Sequence, residues 1–318
     1  MRYTNKHKIP LPLAVMLIHD EYDHNPDPHV ISVTGLLKSV RRIVLESRGS
    51  SLEQEMDISD LIASTQGTAL HDALERAWLS PKLPEMLKAL GIPERVANQI
   101  RVNPTDGTKT PFDVFLEQRT DKKIGKWTIS GKFDFIMEGK PKDLKNTSVF
   151  KWSGSDDDYI RQLSLYRWLN PELTDKDLGD IMFWFKDFNK HQASKSGYPP
   201  FMIAEKPLVL MPPAETDAWV RNKLAQVDAA MALPEPELPH CTKEELWQGE
   251  PEYKYYSSPS AKRASKVSTS FSEVQAYQLS KGKGFIKEVP AEPKACAYCS
   301  VRLGCSQYGQ MVEAGVIK

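Results

Sequence analysis

The four cysteines of this 318-residue chain form a single pattern, and the chain contains no others. Cys241 stands far upstream of a terminal Cys-x-x-Cys-x5-Cys run made of Cys296, Cys299 and Cys305. Four thiolates can complete either an iron–sulfur cluster or a tetrahedral zinc site. Such a centre would join residue 241 to the segment 296–305, and it therefore constrains the fold of the C-terminal part of the chain.

Two disulfides are the alternative use of four cysteines. The N-terminal residues run into a short apolar stretch that prolines interrupt and that lacks a small-residue cleavage site, so we expect no export. Disulfides are rare in the cytoplasm. The sequence therefore predicts a cytoplasmic protein with a metal centre at the cysteines.

Composition narrows the classes of function. The 42 basic and 42 acidic residues give a net charge of zero, so a nucleic-acid partner would have to be held by a local basic patch. No apolar run approaches the ~20 residues of a membrane helix, so we expect no membrane partner. A chain of 36.0 kDa is long enough to bury a full core.

Hydrophobic periodicity predicts a mixed α/β fold, because helical and strand patterns alternate along the chain. We predict helices at 33–46, 58–78, 157–169 and 213–231, strands at 114–119, 127–137, 142–147 and 180–185, and turns at 121–125 and 138–141. A proline-rich stretch after residue 232 marks a boundary. We therefore expect an N-terminal helical and loop segment at 1–57, a core at 58–232, and a C-terminal metal-cluster segment at 233–318 packed on the core.

Acidic residues on two predicted strands suggest a cation site. Asp134 lies on the second strand, and Asp143 and Lys145 share one face of the third because they are two residues apart. If these strands are hairpin neighbours, Asp134 can meet Asp143 and form a two-carboxylate magnesium site. Lys145 could then orient or deprotonate a water and offset charge on an attacked phosphate. A solvated strand edge is the alternative interpretation of an Asp-x-Lys sequence.

Two predicted helices carry polar pairs four residues apart, which places each pair on one helical face. His71 and Glu75 form the first pair, and Gln162 and Tyr166 form the second. A histidine on an apolar helix face is ordinarily a core residue, and glutamine and tyrosine can simply pack or face solvent. The order in which all these motifs follow one another is more informative than any single one.

That order resembles the RecB-like branch of the PD-(D/E)XK nucleases, and most of all its iron–sulfur members. These include the AddB helicase-nuclease subunit, the CRISPR adaptation nuclease and phage exonucleases. The resemblance runs from the histidine helix through the two acidic strands and the Gln-x-x-x-Tyr helix to the cysteine run, over residues 60–305. It implies a restriction-endonuclease-like mixed sheet flanked by helices, with a C-terminal cysteine-cluster segment.

The resemblance also implies a role for each matching residue. The implied Mg²⁺ or Mn²⁺ ligands are His71, Asp134 and Asp143, and Glu75 would support them. Lys145 would orient water or stabilise charge. Gln162 and Tyr166 would lie along the DNA and support the site. The four cysteines would hold a 4Fe–4S cluster, with zinc as the less favoured metal. The chain departs from the family pattern at Asp143, where Glu is commoner, and at Cys241, which follows the core instead of preceding it.

The function implied by the resemblance is that of a metal-dependent DNA exonuclease. Such an enzyme would hydrolyse phosphodiester bonds at DNA ends, in phage or bacterial recombination or repair. Its expected partners are DNA and a recombinase or annealing protein, in the cytoplasm of a bacterium or of a phage-infected cell. The alternative is a catalytically inactive DNA-binding or redox-sensing protein on the same fold. The intact Asp134, Asp143 and Lys145 favour the enzyme.

Overall fold

The fold comes from a computed structural model that describes residues 2–19, 25, 27–49 and 55–317. Contacts divide the chain into two units. The first comprises Met1–Leu37 and Glu53–Ala225, and the second comprises Lys38–Leu52 and Gln226–Lys318. Residues 38–52 thus group with the C-terminal part, whereas the sequence led us to expect them in a continuous segment 1–57.

Ten α-helices occur in the described part of the chain, joined in places by short 3-10 turns. They are α1 (Leu11–Ile18), α2 (Val33–Leu36), α3 (Val40–Ser47), α4 (Ile62–Trp78), α5 (Leu83–Ala89), α6 (Glu94–Ala97), α7 (Asp157–Leu169), α8 (Pro213–Met231), α9 (Phe271–Lys281) and α10 (Ser306–Glu313). Among the described residues, none of these helices has the length and apolar character needed to cross a membrane.

Fourteen strands accompany these helices within the described ranges. They are β1 (Arg2–Thr4), β2 (Val30–Ser32), β3 (Glu55–Asp57), β4 (Arg101–Val102), β5 (Asp113–Leu116), β6 (Arg119–Ile124), β7 (Trp127–Lys132), β8 (Phe135–Met137), β9 (Lys140–Thr147), β10 (Leu178–Phe185), β11 (Ile203–Val209), β12 (Glu252–Tyr256), β13 (Lys266–Ser268) and β14 (Phe285–Val289). The expected mixed α/β class is confirmed.

The first unit is organised around a six-stranded mixed sheet with the strand order β11-β10-β9-β8-β5-β4. Strand β9 runs parallel to β10 and antiparallel to β8, so it lies inside the sheet with neighbours on both sides. A second sheet of this unit has the order β2-β7-β6. In the second unit, β12 is the central strand between β13 and β14.

Helix α4 packs on the six-stranded sheet through one narrow face. Leu74 and Trp78 of α4 pack against Val114, Leu116 and Phe135 of the sheet. The Trp78 and Phe135 rings meet edge to face, with their centroids 5.4 Å apart. His71 precedes Leu74 by three residues and Trp78 by seven, so it lies on the same helical face. Sheet packing of α4 therefore directs His71 toward the strands.

Helix α7 has the bounds predicted from the sequence, Asp157–Leu169, and α8 also agrees with its prediction. Eight consecutive residues of α7, from 162 to 169, are buried. The helix contacts β9 and β10 of one sheet and β6 and β7 of the other. Such burial on all sides explains why polar residues on this helix must find partners inside the protein.

Several predicted elements were wrong in their bounds. The strand expected at 114–119 ends at Leu116 as β5, and the helix expected at 58–78 begins as a 3-10 turn before α4 starts at Ile62. The helix expected at 33–46 is two helices, because Ser39 interrupts it and its hydroxyl caps α3 by accepting the Arg42 N–H. The turn expected at 121–125 is mostly strand β6, and the chain reverses at Gly125, whose φ is +58°. The strand expected at 127–137 is divided between two sheets as β7 and β8.

The chain passes directly between the six-stranded sheet and the β2-β7-β6 sheet at two places, and these two crossings lie side by side. The first follows β5 at residues 117–118, and the second follows β7 at residues 133–134. Backbone hydrogen bonds join them, from Glu117 N–H to the Asp134 carbonyl (3.1 Å) and from Phe133 N–H to the Gln118 carbonyl (3.2 Å). This pairing brings Glu117 and Asp134 together, although they are 17 positions apart in the sequence.

Candidate metal and catalytic site

Asp143 and Lys145 lie on one face of β9, as the spacing predicts. The Lys145 Nζ is 2.6 Å from Asp143 Oδ2. Asp143 is 1% exposed, and its Oδ2 accepts no hydrogen bond of normal geometry despite this short ion pair. Burial opposes the charge of the Lys145 ammonium, but the negative charge of Asp143 outweighs it and raises the pKa of Lys145. Lys145 therefore remains positively charged.

Asp134 meets Asp143 across the β8–β9 hairpin, as expected. Phe135 is paired with Lys142, so the next positions outward are Asp134 and Asp143. The backbone N–H of Leu144 donates to Asp134 Oδ2 at 2.8 Å. Burial, and then the negative charge of Asp143, raise the pKa of Asp134 to about 7 against the weaker opposing effect of His71. The two carboxylates thus repel each other in a site that excludes much of the solvent.

His71 of α4 lies close to two carboxylates, those of Asp134 and Glu117. Its Nδ1 is 3.5 Å from Asp134 Oδ1 and 3.5 Å from Glu117 Oε1. One potential ligand atom from each of the three residues lies within 4.8 Å of the others. Burial lowers the pKa of His71, but the hydrogen bond with Glu117 and the charges of Asp134 and Asp143 outweigh it and raise that pKa. The ligand atoms of these three side chains are close enough together to bind one metal ion.

Glu117 is a site residue that the sequence analysis did not identify. It ends the apolar run of β5 with a positive φ of +50°, and its Oε2 is 2.7 Å from Lys132 Nζ. The available signal was an acidic residue placed directly after the apolar strand residues Val114–Leu116. Glu75, the predicted supporting residue, is half-buried on α4, and we find no hydrogen bond or ion pair joining it to the site among the described residues.

Gln162 and Tyr166 of α7 hold Asp143 in place. Gln162 Nε2 donates to Asp143 Oδ1 at 2.8 Å and to the Tyr166 hydroxyl at 3.1 Å. The two side chains are 6% and 4% exposed, so their main partners are inside the protein. Burial, with the charge of Asp143, raises the pKa of Tyr166 well above its ordinary value, and the phenol stays neutral. The pair supports the site by fixing one oxygen of a metal-ligand candidate.

The four cysteines lie in the second unit and are free, half-buried thiols. Cys296 and Cys299 are carried by the 3-10 turn Lys294–Tyr298 and its cap, and Cys305 caps α10. Burial, and then the charges of the other three cysteines, raise the pKa of Cys296 to about 11. The charges of Cys241, Cys299 and Cys305 thus all act on Cys296. Thiolates are the ligands that soft cations prefer.

Comparisons with known proteins add little. No known protein family matches the sequence, and no curated protein is similar to it. Among solved structures, the chain is similar to a protein described as SSO0001, with a TM-score of 0.41 and 19% sequence identity. The match covers 69% of this chain and 87% of that one. The similarity is weak.

Proposed function

We propose that this protein is a metal-dependent deoxyribonuclease whose site lies at the β8–β9 hairpin. The observation that carries the proposal is the buried carboxylate pair of Asp134 and Asp143, with the Lys145 ammonium 2.6 Å from Asp143. Two acids held together beside a lysine and a histidine are stabilised by a divalent cation, and perturbed carboxylates of this kind are typical of functional sites. The resemblance of the motif order to RecB-like nucleases supports the same conclusion.

The donor set fits Mg²⁺ or Mn²⁺. Both are hard cations that bind oxygen ligands, and magnesium is typically held by one or two carboxylates with water completing the shell. Asp134 and Asp143 supply those carboxylates, and His71 and Glu117 lie close enough to Asp134 to join them. The buried Asp143 Oδ2 is paired with the Lys145 ammonium at 2.6 Å but has no hydrogen bond of normal geometry, so it could also serve as a ligand to a cation.

Lys145, Gln162 and His71 would each have a different role in hydrolysis. A bound Mg²⁺ or Mn²⁺ would lower the pKa of a coordinated water and polarise the phosphate. The Lys145 ammonium, which remains protonated, is suited to stabilise negative charge on the phosphate rather than to accept a proton. Gln162 fixes the orientation of Asp143. His71 has to lose its proton to act as a ligand, because only the neutral imidazole binds metal.

The preference for DNA ends, the exonuclease assignment and a recombinase or annealing partner follow from the resemblance alone. So does a 4Fe–4S cluster at the four cysteines. Four half-buried thiols are a donor set that suits either this cluster or zinc. Colour separates the two, since an iron–sulfur protein purified without oxygen is brown and a zinc protein is colourless.

The test uses anaerobically purified protein with linear and closed circular DNA of the same sequence, in Mg²⁺ or Mn²⁺. We expect shortening of the linear DNA from its ends and no loss of the circle. Lys145→Met should reduce the rate by roughly 10²–10⁴, as is typical for a positioned catalytic group. Lys140→Met is the matched control, because Lys140 lies on the opposite face of β9 and pairs with Asp180, which Lys142 also neutralises.

Two results would contradict the proposal. One is binding of DNA without any metal-dependent cleavage, which is the behaviour of the inactive DNA-binding alternative. The other is unchanged turnover by Lys145→Met, which would place the reaction elsewhere. Cleavage of the closed circle at the same rate would leave a nuclease but remove the preference for ends.

A further inference from the structure

Arg41 is the most deeply buried charged side chain of the second unit. It lies in the first turn of α3, and it is 1% exposed. A guanidinium stays protonated in proteins, so a buried one has to be paired with anions and hydrogen-bond acceptors. Its partners therefore show which negative groups this part of the chain is built to hold.

All three nitrogens of the Arg41 guanidinium donate hydrogen bonds. Nε donates to the Cys305 sulfur at 3.1 Å, and Nη1 donates to the Leu238 carbonyl at 2.8 Å. Nη2 donates to the Ser306 hydroxyl at 2.7 Å and forms a short ion pair with the Glu235 carboxylate. Arg41 thus contacts one cysteine sulfur, the residue that follows it, and the segment before Cys241.

A second sulfur is contacted from the same short segment. The Cys241 thiol donates to the Ser39 hydroxyl at 3.2 Å, and Ser39 also caps α3. When Cys241 is ionised, the hydroxyl can instead donate to the thiolate, because serine is both donor and acceptor. Residues 39 and 41 therefore reach two of the four sulfurs from positions 202 and 264 residues earlier in the chain.

The contacts of Ser39 and Arg41 matter because a metal centre at the four cysteines would be negatively charged. Four thiolates around a Zn²⁺ or a 4Fe–4S core leave an excess of negative charge in a half-buried place. Hydrogen bonds from neighbouring groups orient metal ligands, and hydrogen bonds to cluster sulfurs are among the factors that set reduction potential. Glu235 neutralises most of the Arg41 charge, so the directed N–H to sulfur contact is the main contribution that remains.

We propose that Arg41 is a positioning residue of the four-cysteine centre, assisted by Ser39. It holds the Cys305 sulfur in place before metal arrives and stabilises the thiolate once metal is bound. The inference rests on the metal centre proposed at the cysteines, and it is independent of the nuclease activity. It also explains why residues 38–52 group with the C-terminal part of the chain.

Arg48 offers a matched control at the other end of α3. Its guanidinium donates to the backbone carbonyls of Met231 and Leu233, at 3.2 Å and 2.6 Å, and we find no bond from it to a sulfur in the described part of the chain. Arg48→Gln removes a guanidinium that ties α3 to the same unit but leaves every thiol contact intact. A difference between the Arg41 and Arg48 variants therefore separates the contacts that Arg41 makes around Cys305 from the general anchoring of α3.

The experiment titrates metal-free, reduced protein with Co²⁺ against a competing chelator and follows the thiolate-to-cobalt absorption. Mutating a residue that hydrogen-bonds to a metal ligand commonly lowers metal affinity 10–100-fold, and we expect the Co²⁺ affinity of Arg41→Gln to fall by a factor in that range. Arg41→Lys, which keeps the charge but not the planar fork, should lose less, and Ser39→Ala should also lose less. Arg48→Gln should bind like the wild type. In protein reconstituted with iron and sulfide, Arg41→Gln should shift the reduction potential to more negative values.

Four outcomes would overturn the inference. If Arg41→Gln binds Co²⁺ as tightly as the wild type, Arg41 has no role in the centre. If Arg48→Gln loses as much Co²⁺ affinity as Arg41→Gln, the loss reflects general destabilisation of the protein. If Arg41→Gln does not fold, wild-type affinity in both Arg41→Lys and Ser39→Ala would have the same meaning. Wild-type protein that gives no thiolate-to-cobalt absorption would overturn the metal centre itself, with the DNA cleavage assay unaffected.

Discussion

Replacing Asp134 by asparagine should make the metal-free protein more stable at neutral pH while it removes a metal ligand. The carboxylate is buried beside Asp143, and these two influences raise the pKa of Asp134 from 3.8 to about 7. Asparagine has the same shape and carries no charge. Its side-chain carbonyl can still accept the Leu144 N–H that now donates to Oδ2. The substitution therefore removes repulsion without removing a hydrogen bond.

The size of the effect follows from the pKa. One unit of pKa corresponds to about 1.4 kcal/mol, so ionised Asp134 costs the folded state about 4 kcal/mol. The side chain is only 13% exposed, so solvent screens little of this. Because the pKa of the folded state is the higher one, the folded protein retains a proton that the unfolded chain has released. Stability is therefore lost as pH rises from about 4 to about 7, and Asp134→Asn should not show this loss.

The assay is urea unfolding in EDTA at several pH values between 5 and 8. The stability advantage of Asp134→Asn should grow by about 2–3 kcal/mol across this range. Asp113→Asn is a control with the opposite effect. The Arg101 hydrogen bonds lower the pKa of Asp113 to about 2, so losing the Asp113 carboxylate should destabilise the protein. Added Mn²⁺ should stabilise the wild type at pH 8 and leave Asp134→Asn nearly unchanged. An Asp134→Asn protein no more stable than the wild type at pH 8 would refute the carboxylate repulsion.

Two further predictions concern the neighbouring ligand candidates and the cysteines. Glu117→Gln should weaken Mn²⁺ binding, measured by calorimetric titration, by at least about tenfold. Glu75→Gln should leave it unchanged, because no hydrogen bond or ion pair joins Glu75 to the site among the described residues; the reverse result would restore Glu75 as a supporting residue. Cys299→Ala should give colourless protein with a lower melting temperature and faster protease cleavage after residue 233, since binding energy at such a site is also folding energy. A Cys299→Ala protein that melts like the wild type would rule out a structural centre.

Local patterns in the sequence were sufficient for much of the candidate site. The periodicity of residues 157–169 predicted α7 with its observed bounds, because a helix is formed by interactions within a few positions. The two-residue spacing of Asp143 and Lys145 predicted their shared face on β9 in the same way. The meeting of Asp134 with Asp143 needed only the tight turn between them, which short-range glycine and proline signals indicate.

Contacts between distant positions were decided by the tertiary structure. Glu117 reaches Asp134 because two crossings between sheets are hydrogen-bonded to each other, whereas the sequence pattern predicted a continuous strand through each crossing. Arg41 reaches Cys305 from 264 positions away, through packing that no local pattern encodes. Periodicity reports which face of an element is buried, but not which other element buries it. The sequence alone therefore determined the elements and the short-range pairs, and the packing of the sheets and of α3 determined which distant side chains join them.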